Sequence, residues 1–394
     1  ETKTYASGDI IPEENIESYF VWIPKYRYQL WDLGLYDSLT EIDTSKVHEI
    51  LIMFGDYNTS DSVTGECTTP MESGESGNCE VGDYMTHPAF ISIPSTGFWV
   101  GKFETGYNGA KSKTEAEVNE RDASKVVIKP NMYSWRNIQE ANAFYTSYDY
   151  QRGLDSHMMK ATEWGAVAYL EHSTYGSATS VRQNNNSDFI TGYQANNEPT
   201  CGYTGINEEC NSYCNDNSCN KAYPNSVLAS TTNNITGIFD MSGGSHDMVM
   251  GIMEDEQGNP ISGRNSISNS GFNGIFSCPD CNGDTSGLTE LTTGVEFPEE
   301  KYYETYKYME GEAHYNDRIL GDATGEMGPL EEGIELYSES SWYEDIERMV
   351  NTIYPWFYRG CDYSMGFGTG IFCSSIDTGR SLGSATFRII LTPA

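Results

Sequence analysis

The chain has 394 residues, long for one ordinary domain and short for three, and its 23 Lys+Arg against 58 Asp+Glu leave a formal charge of −35. That balance rules out most nucleic-acid readings, because phosphate must be met by a basic surface, and it disfavours docking to anionic lipid. Aromatics nonetheless reach 13%, with 28 Tyr, 15 Phe and 7 Trp, so the chain is expected to fold around rings rather than persist as an acidic coil.

No run approaches the ~18 apolar residues of a membrane helix, so the chain is not expected to span a membrane. No basic region followed by an apolar one opens it, and Glu1 reads as a processed end or a cut inside a longer protein. After Pro24 the sequence alternates: Tyr26, Tyr28 and Leu30 face one way and Lys25, Arg27 and Gln29 the other, as in a half-buried strand pair or hairpin arm over 19–31. Residues 56–86 form an acidic, Gly/Ser-rich loop, and 98–105 a strand. A helix is expected from near Ser134, with Asn137 and Glu140 as a capping pair and Ile138, Ala141 and Tyr145 on one face. A second covers about 161–171, with Trp164, Val167 and Ala168 on one side.

Residues 173–235 are too long for an ordinary loop and read as an insertion. Residues 237–243 return to strand, and 252–335 form a second insertion, acidic and Tyr-rich around 296–315. Ser341 and Glu344 have the spacing of a capping box, which predicts a helix to about Val350. Residues 356–360 and 385–392 read as strands enclosing a Gly/Ser-rich stretch.

The ten cysteines fall in even local clusters: Cys67 and Cys79; Cys201, Cys210, Cys214 and Cys219; Cys278 and Cys281; Cys361 and Cys373. Each cluster lies where a local staple can replace a hydrophobic core, so five disulfides and an oxidising, extracellular setting are expected. The natural pairs are Cys67–Cys79, Cys278–Cys281 and Cys361–Cys373, while the central four allow three pairings. Structural zinc would want a second CxxC or a Cys/His pair at fixed spacing, and neither accompanies Cys278-Pro-Asp-Cys281.

Six separated segments resemble, in order, the formylglycine-generating-enzyme family. Val21-Trp-Ile-Pro24 is similar to its "MVWIPGG" strand and Phe98–Thr105 to "FYIGKYEVT". Ser134-Trp135 with Glu140-Ala-Asn-Ala143 is similar to "SWEDAQAF", and Met159-Lys-Ala-Thr-Glu-Trp164 to "LPTEAEWEYAA". Gly237-Ile-Phe-Asp-Met-Ser-Gly243 resembles "GLYDMSGNVWEW", and Arg359-Gly360 with Phe387-Arg388 resembles "RGGSW…GFR". The resemblance implies an α+β, C-type-lectin-like fold over 1–394, interrupted by two large disulfide-stapled insertions. A narrower likeness is to bacterial surface members carried behind a prepilin-type helix, and to the variable proteins of diversity-generating retroelements, which display ligand-contacting residues near the C-terminus.

The family's enzymes need two cysteines a few residues apart, because a close thiolate pair binds Cu(I) and is redox-active. Here Cys373 lies twelve residues beyond Cys361, the spacing of a loop staple, and no catalytic role is expected. The stretch matching "GNVWEW" reads Gly244-Ser-His-Asp-Met248, so the calcium site that the resemblance implies there is altered, and no cofactor is expected. His246 beside Asp247 has the makings of a general-base pair without a nucleophile. Asp280 and Asp284 read as a polar turn, and Asn197-Glu-Pro199 holds the residues of the "EPN" sugar-reading triplet of calcium-dependent lectins in the wrong order. Glu163 is expected to bond backbone and Trp164 to fill core.

These readings lead to a non-catalytic, adhesin-like ligand-binding protein at a bacterial surface or pilus, with a protein or glycan ligand. A structural subunit of a filament or a divergent oxidase are the alternatives. The expected binding residues are Tyr358, Asp362, Tyr363, Ser364, Phe367, Thr369, Phe372, Ser374, Ser375, Asp377 and Thr378, mixing rigid rings with adaptable hydrogen-bonding groups. The stretch is expected to project from the sheet, restrained by Cys361–Cys373.

Overall fold

The computed structural model describes residues 6–31, 47–54, 66–67, 79–178, 227–255, 257–262, 269–277, 289–307, 319–326, 338–339, 341–362, 365 and 368–393. The elements that position the candidate site are, in chain order, β1 (Phe20–Pro24), β2 (Tyr26–Gln29), β3 (Gly97–Gly101), α1 (Glu140–Tyr150), β4 (His157–Met158) and α2 (Ala161–Glu171). They continue as β5 (His246–Glu254), β6 (Glu304–Lys307), β7 (Trp356–Arg359), β8 (Ser374–Asp377), β9 (Ala385–Phe387) and β10 (Ile389–Leu391). The result is a mixed α+β architecture of open sheets with few helices.

One sheet runs β1-β3-β10-β4, entirely antiparallel, so the first and last of these strands flank β3. The other runs β6-β5-β7-β8. Its β7 is antiparallel to both β5 and β8. Parallel strands β9 and β6 share the opposite edge of β5, β9 along 246–248 and β6 along 251–254.

The central strand β5 is buried along all but its last residue, so both faces are covered and no polar alternation marks it. Met248, Met250 and Ile252 pack with Trp356, Tyr358 and Phe387 against Ala141 and Phe144 of α1. Val249 and Met253 cluster on the other face with Phe357, Ile376 and Ala161. The boundary expected at 252 therefore falls inside a strand, and 304–307 extend the same sheet. Segment 319–322 also packs closely on α2: a Cβ on Gly165 would lie 1.9 Å from the Gly321 carbonyl oxygen.

Several local expectations change. β1 and β2 do not pair with each other; β2 pairs with short strands Ile52–Phe54 and Tyr84–Thr86. Tyr26, Tyr28 and Leu30 are buried as their alternation predicts, but Arg27 is buried too. Helix α1 begins at Glu140 rather than near Ser134, because Trp135 and Arg136 donate their N–H groups to Thr105 and Ala116 carbonyls. Asn137 has a left-handed φ of 56° and does not cap. Residues 237–243 turn rather than extend, with Asp240 at φ 60°.

The capping-box helix at 341–350 is absent. A 3-10 turn, Trp342–Glu344, leads instead to strand Ile346–Glu347. Tertiary contacts override the local signal: Trp342 is buried among Trp31, His48, His172 and Phe372, and the Asp345 carboxylate accepts the Phe372 N–H at 3.1 Å. Helix α2 follows expectation, as Glu163 accepts the Lys160 N–H at 2.8 Å and Trp164 is fully buried.

Arg388 stands where the chain leaves β9 in one sheet and enters β10 in the other. Its guanidinium is fully buried and donates to the carbonyls of Gly101 (2.8 Å), Phe239 (3.1 Å) and Asp240 (3.3 Å) and to the Asp247 carboxylate (3.0 Å). We expect Arg388→Met to cost about 3–5 kcal/mol, since it strands Asp247 as a buried, unpaired acid. Adding Asp247→Asn should recover part of the loss in denaturant unfolding; no recovery would show that the carbonyl contacts alone carry the cost.

His87 is a core residue, ringed by Tyr26, Tyr28, Phe90 and Tyr169. Burial pushes its pKa down from 6.5 to about 3, and the neutral ring accepts the Ala89 N–H through Nδ1 at 3.3 Å. Below the ordinary value the unfolded chain takes up a proton that the folded one refuses, so this contribution to stability is full above 6.5 and fades towards 3. His87→Gln should therefore flatten the acid limb of unfolding free energy against pH; an unchanged limb would refute the assignment.

Candidate functional site

The described residues of the C-terminal stretch do not project. Ser374–Asp377 is instead β8, paired with β7 so that Ser375 faces Tyr358 and Asp377 faces Trp356. Tyr358, Asp362, Thr369, Phe372, Ser374, Ser375, Asp377 and Thr378 are all buried; Tyr363, Ser364 and Phe367 lie outside the described residues. The reason is side-chain partnership. Phe372 packs on His172, Trp342 and Tyr343. The Ser374 hydroxyl donates to the Arg348 carbonyl at 3.0 Å and accepts its N–H at 3.1 Å.

Cys361 and Cys373 form the expected disulfide, fully buried, with Cα atoms 5.8 Å apart. Cys79 is also disulfide-bonded, and the Cys201–Cys219 and Cys278–Cys281 groups lie outside the described residues. So do Asp280, Asp284 and Asn197. Asp255 closes a turn, accepting the N–H groups of Gln257 and Asn259.

His246 and Asp247 occupy opposite faces of β5 and do not form a pair. Asp247 meets Arg388, whereas His246 Nε2 lies 3.4 Å from Asp362 Oδ2. Burial lowers the His246 pKa, with Asp362 acting in the opposite direction. Glu104 shares the Asp247 neighbourhood; burial, Asp240 and Asp247 hold its pKa well above the ordinary value. The Arg388 guanidinium supplies positive charge beside these acids. Among the described residues, no group of three or more His, Cys, Asp or Glu side chains is arranged to hold a metal ion.

What the fold does bring together is a polar cluster between the start of α1 and the inner face of β7 and β8. Glu140, the first residue of α1, is fully buried and neither carboxylate oxygen has a hydrogen-bond partner. The Tyr358 hydroxyl, Trp356 Nε1 and His246 Nδ1 are likewise buried without partners. Burial raises the Glu140 pKa well above its usual range, and the Asp377 charge adds to that rise. Burial raises the Tyr358 pKa as well, followed by the charges of Glu140 and Asp377.

The strap 378–384 roofs this cluster. Its Gly379 carbonyl accepts the Glu140 N–H at 3.0 Å, and its Leu382 carbonyl accepts the Asn137 N–H at 2.7 Å. Arg380, on the strap, pairs with Asp377 (3.1 Å) while more than half of its side chain stays in solvent. Sequence reasoning named Tyr358 and Asp377 but missed Glu140 and Arg380. One signal was available: Arg380 is the sole basic residue between Arg359 and Arg388.

Buried polar groups in native proteins are nearly always bonded, so several unpartnered ones at one place mark a ligand-site candidate. No protein-family model matches the chain, and no curated protein matches it.

Removing an orphaned hydroxyl should cost nothing. Tyr358→Phe is expected to leave stability unchanged or raise it by up to ~1 kcal/mol, whereas Tyr306→Phe, which removes the bond from Tyr306 to Asp322, should cost about 1–2 kcal/mol. Equal losses in thermal unfolding would show that the Tyr358 hydroxyl is a structural group.

Proposed function

We propose that this chain is a non-catalytic, extracellular ligand-binding protein of the C-type-lectin-like, formylglycine-generating-enzyme type, displayed on a bacterial surface or pilus. The observation that carries the binding reading is the convergence of Glu140, Trp356, Tyr358 and His246, all buried with unpartnered polar atoms. Supporting the fold assignment, the first and last sheet strands flank β3 and an arginine at the position of the "GFR" signature ties the two sheets together. Cys361 joined to Cys373 in the interior favours a staple over a redox pair, and with the oxidised Cys79 it favours an oxidising compartment.

The oxidised protein, labelled and screened on glycan and peptide arrays, should retain at least one ligand. Glu140→Gln and Tyr358→Phe should each weaken that ligand by about tenfold or more, with the melting temperature held. Ligands that bind both variants as well as wild type would place recognition elsewhere and overturn this site.

A further inference from the structure

The charges around the cluster indicate what the ligand brings. The carboxyl groups are Glu140, Asp377 and Asp362; the permanent cations are Arg380, paired with Asp377, and Arg348, whose charge opposes protonation of His246. Arg380 is taken by Asp377, and among the described residues no cation pairs with Glu140. Around it stand the Tyr358 hydroxyl and the Asp377 carboxylate, both with oxygens able to accept, and the Trp356 indole, whose Nε1–H is a donor.

An alkylammonium carries three donors on a compact cation. Three donors suit Glu140, the Tyr358 oxygen and Asp377. A neutral sugar would bring hydroxyls but no charge for Glu140; an anion would face three acids. Access is set by the strap. Arg380 is its one charged residue, it is largely solvated, and it already places a cation on Asp377.

We propose that the Glu140–Tyr358–Asp377 cluster receives an ammonium group, from a lysine side chain of a partner or from a free amine, and that Arg380 guards it by competing for Asp377. The proposal rests on the ligand-binding reading above and specifies the chemistry of the same site. Arg380 leaving Asp377 opens the route, and the incoming ammonium takes its place while Glu140 ionises against it. Because the closed arrangement must be undone first, Arg380 lowers the apparent affinity for the ligand.

The test is calorimetric titration of the intact, oxidised chain with n-butylammonium and with a lysine-containing peptide. n-Butanol and the lysine-acetylated peptide serve as neutral controls. Wild type should bind at least one ammonium probe and neither control. Binding of the amine alone identifies a small-molecule source, and binding of the peptide alone identifies a partner protein. Arg380→Ala should tighten binding by about tenfold, and Glu140→Gln should weaken it at least as much. Arg121→Ala, which removes an equal charge from the surface pair with Asp149, should do neither.

Equal binding by Glu140→Gln and wild type would reduce the effect to attraction by an acidic surface and overturn the proposal. So would weaker binding by Arg380→Ala, or equal binding of the neutral controls. If Glu140→Gln fails to fold, Tyr358→Phe provides the same comparison. An array ligand that needs Tyr358 but carries no amine would sink this inference and leave the ligand-binding reading standing.

Discussion

A single buried guanidinium holds the two sheets in their relation. Arg388 sits at the one-residue gap between β9 and β10, with Gly101 at the end of β3 on one side and Asp247 near the start of β5 on the other. Taking a charge out of water is costly, and here the cost is offset by three carbonyls and a carboxylate. The same contacts fix the turn at 239–240 through its two carbonyls. Once β9 and β5 are registered in this way, β7 and β8 follow by pairing. Tyr358 and Asp377 are then carried to the inner face where Glu140 waits at the start of α1.

Legibility in the sequence followed locality. Tyr26 and Tyr28 were readable because strand alternation is a two-residue pattern, and Glu163 with Trp164 because a helix start is. The central strand was not readable: His246–Glu254 is covered on both faces, so its residues carry no polar rhythm. Trp342 and Asp345 defeated a sound capping signal because their partners, Trp31 and Phe372, are remote in sequence. Arg388 was legible only through the family resemblance of Phe387-Arg388; the reason for it appears when both sheets are seen.

The candidate site shows the same division. Tyr358 and Asp377 were chosen from the aromatic and polar composition of their stretch, a signal that does not distinguish a buried ring from an exposed one. Cys361 and Cys373 suggested a projecting loop, yet a disulfide closes a buried turn as readily as an exposed one. Glu140 reads as a capping partner from its spacing after Asn137. Its backbone N–H does engage at that end, with the Gly379 carbonyl, while the carboxyl group turns inward.

An acidic protein that places further acids in its interior has to hold them neutral or supply cations. Both solutions operate around the site. Glu140 is held towards its neutral form by burial and by Asp377, while Asp377 has Arg380. The difference between the two solutions matters for recognition. A neutral carboxyl is silent until a cation arrives, and an ion pair at the solvent boundary contributes little stability, so Arg380 is inexpensive to displace. A site with a silent acid inside and a weakly held guanidinium at its mouth can be stable when empty and still discriminate sharply for charge when filled. That combination does not follow from an overall charge of −35, which would attract any cation to the surface; it follows from where the fold buries Glu140 and where the strap leaves Arg380.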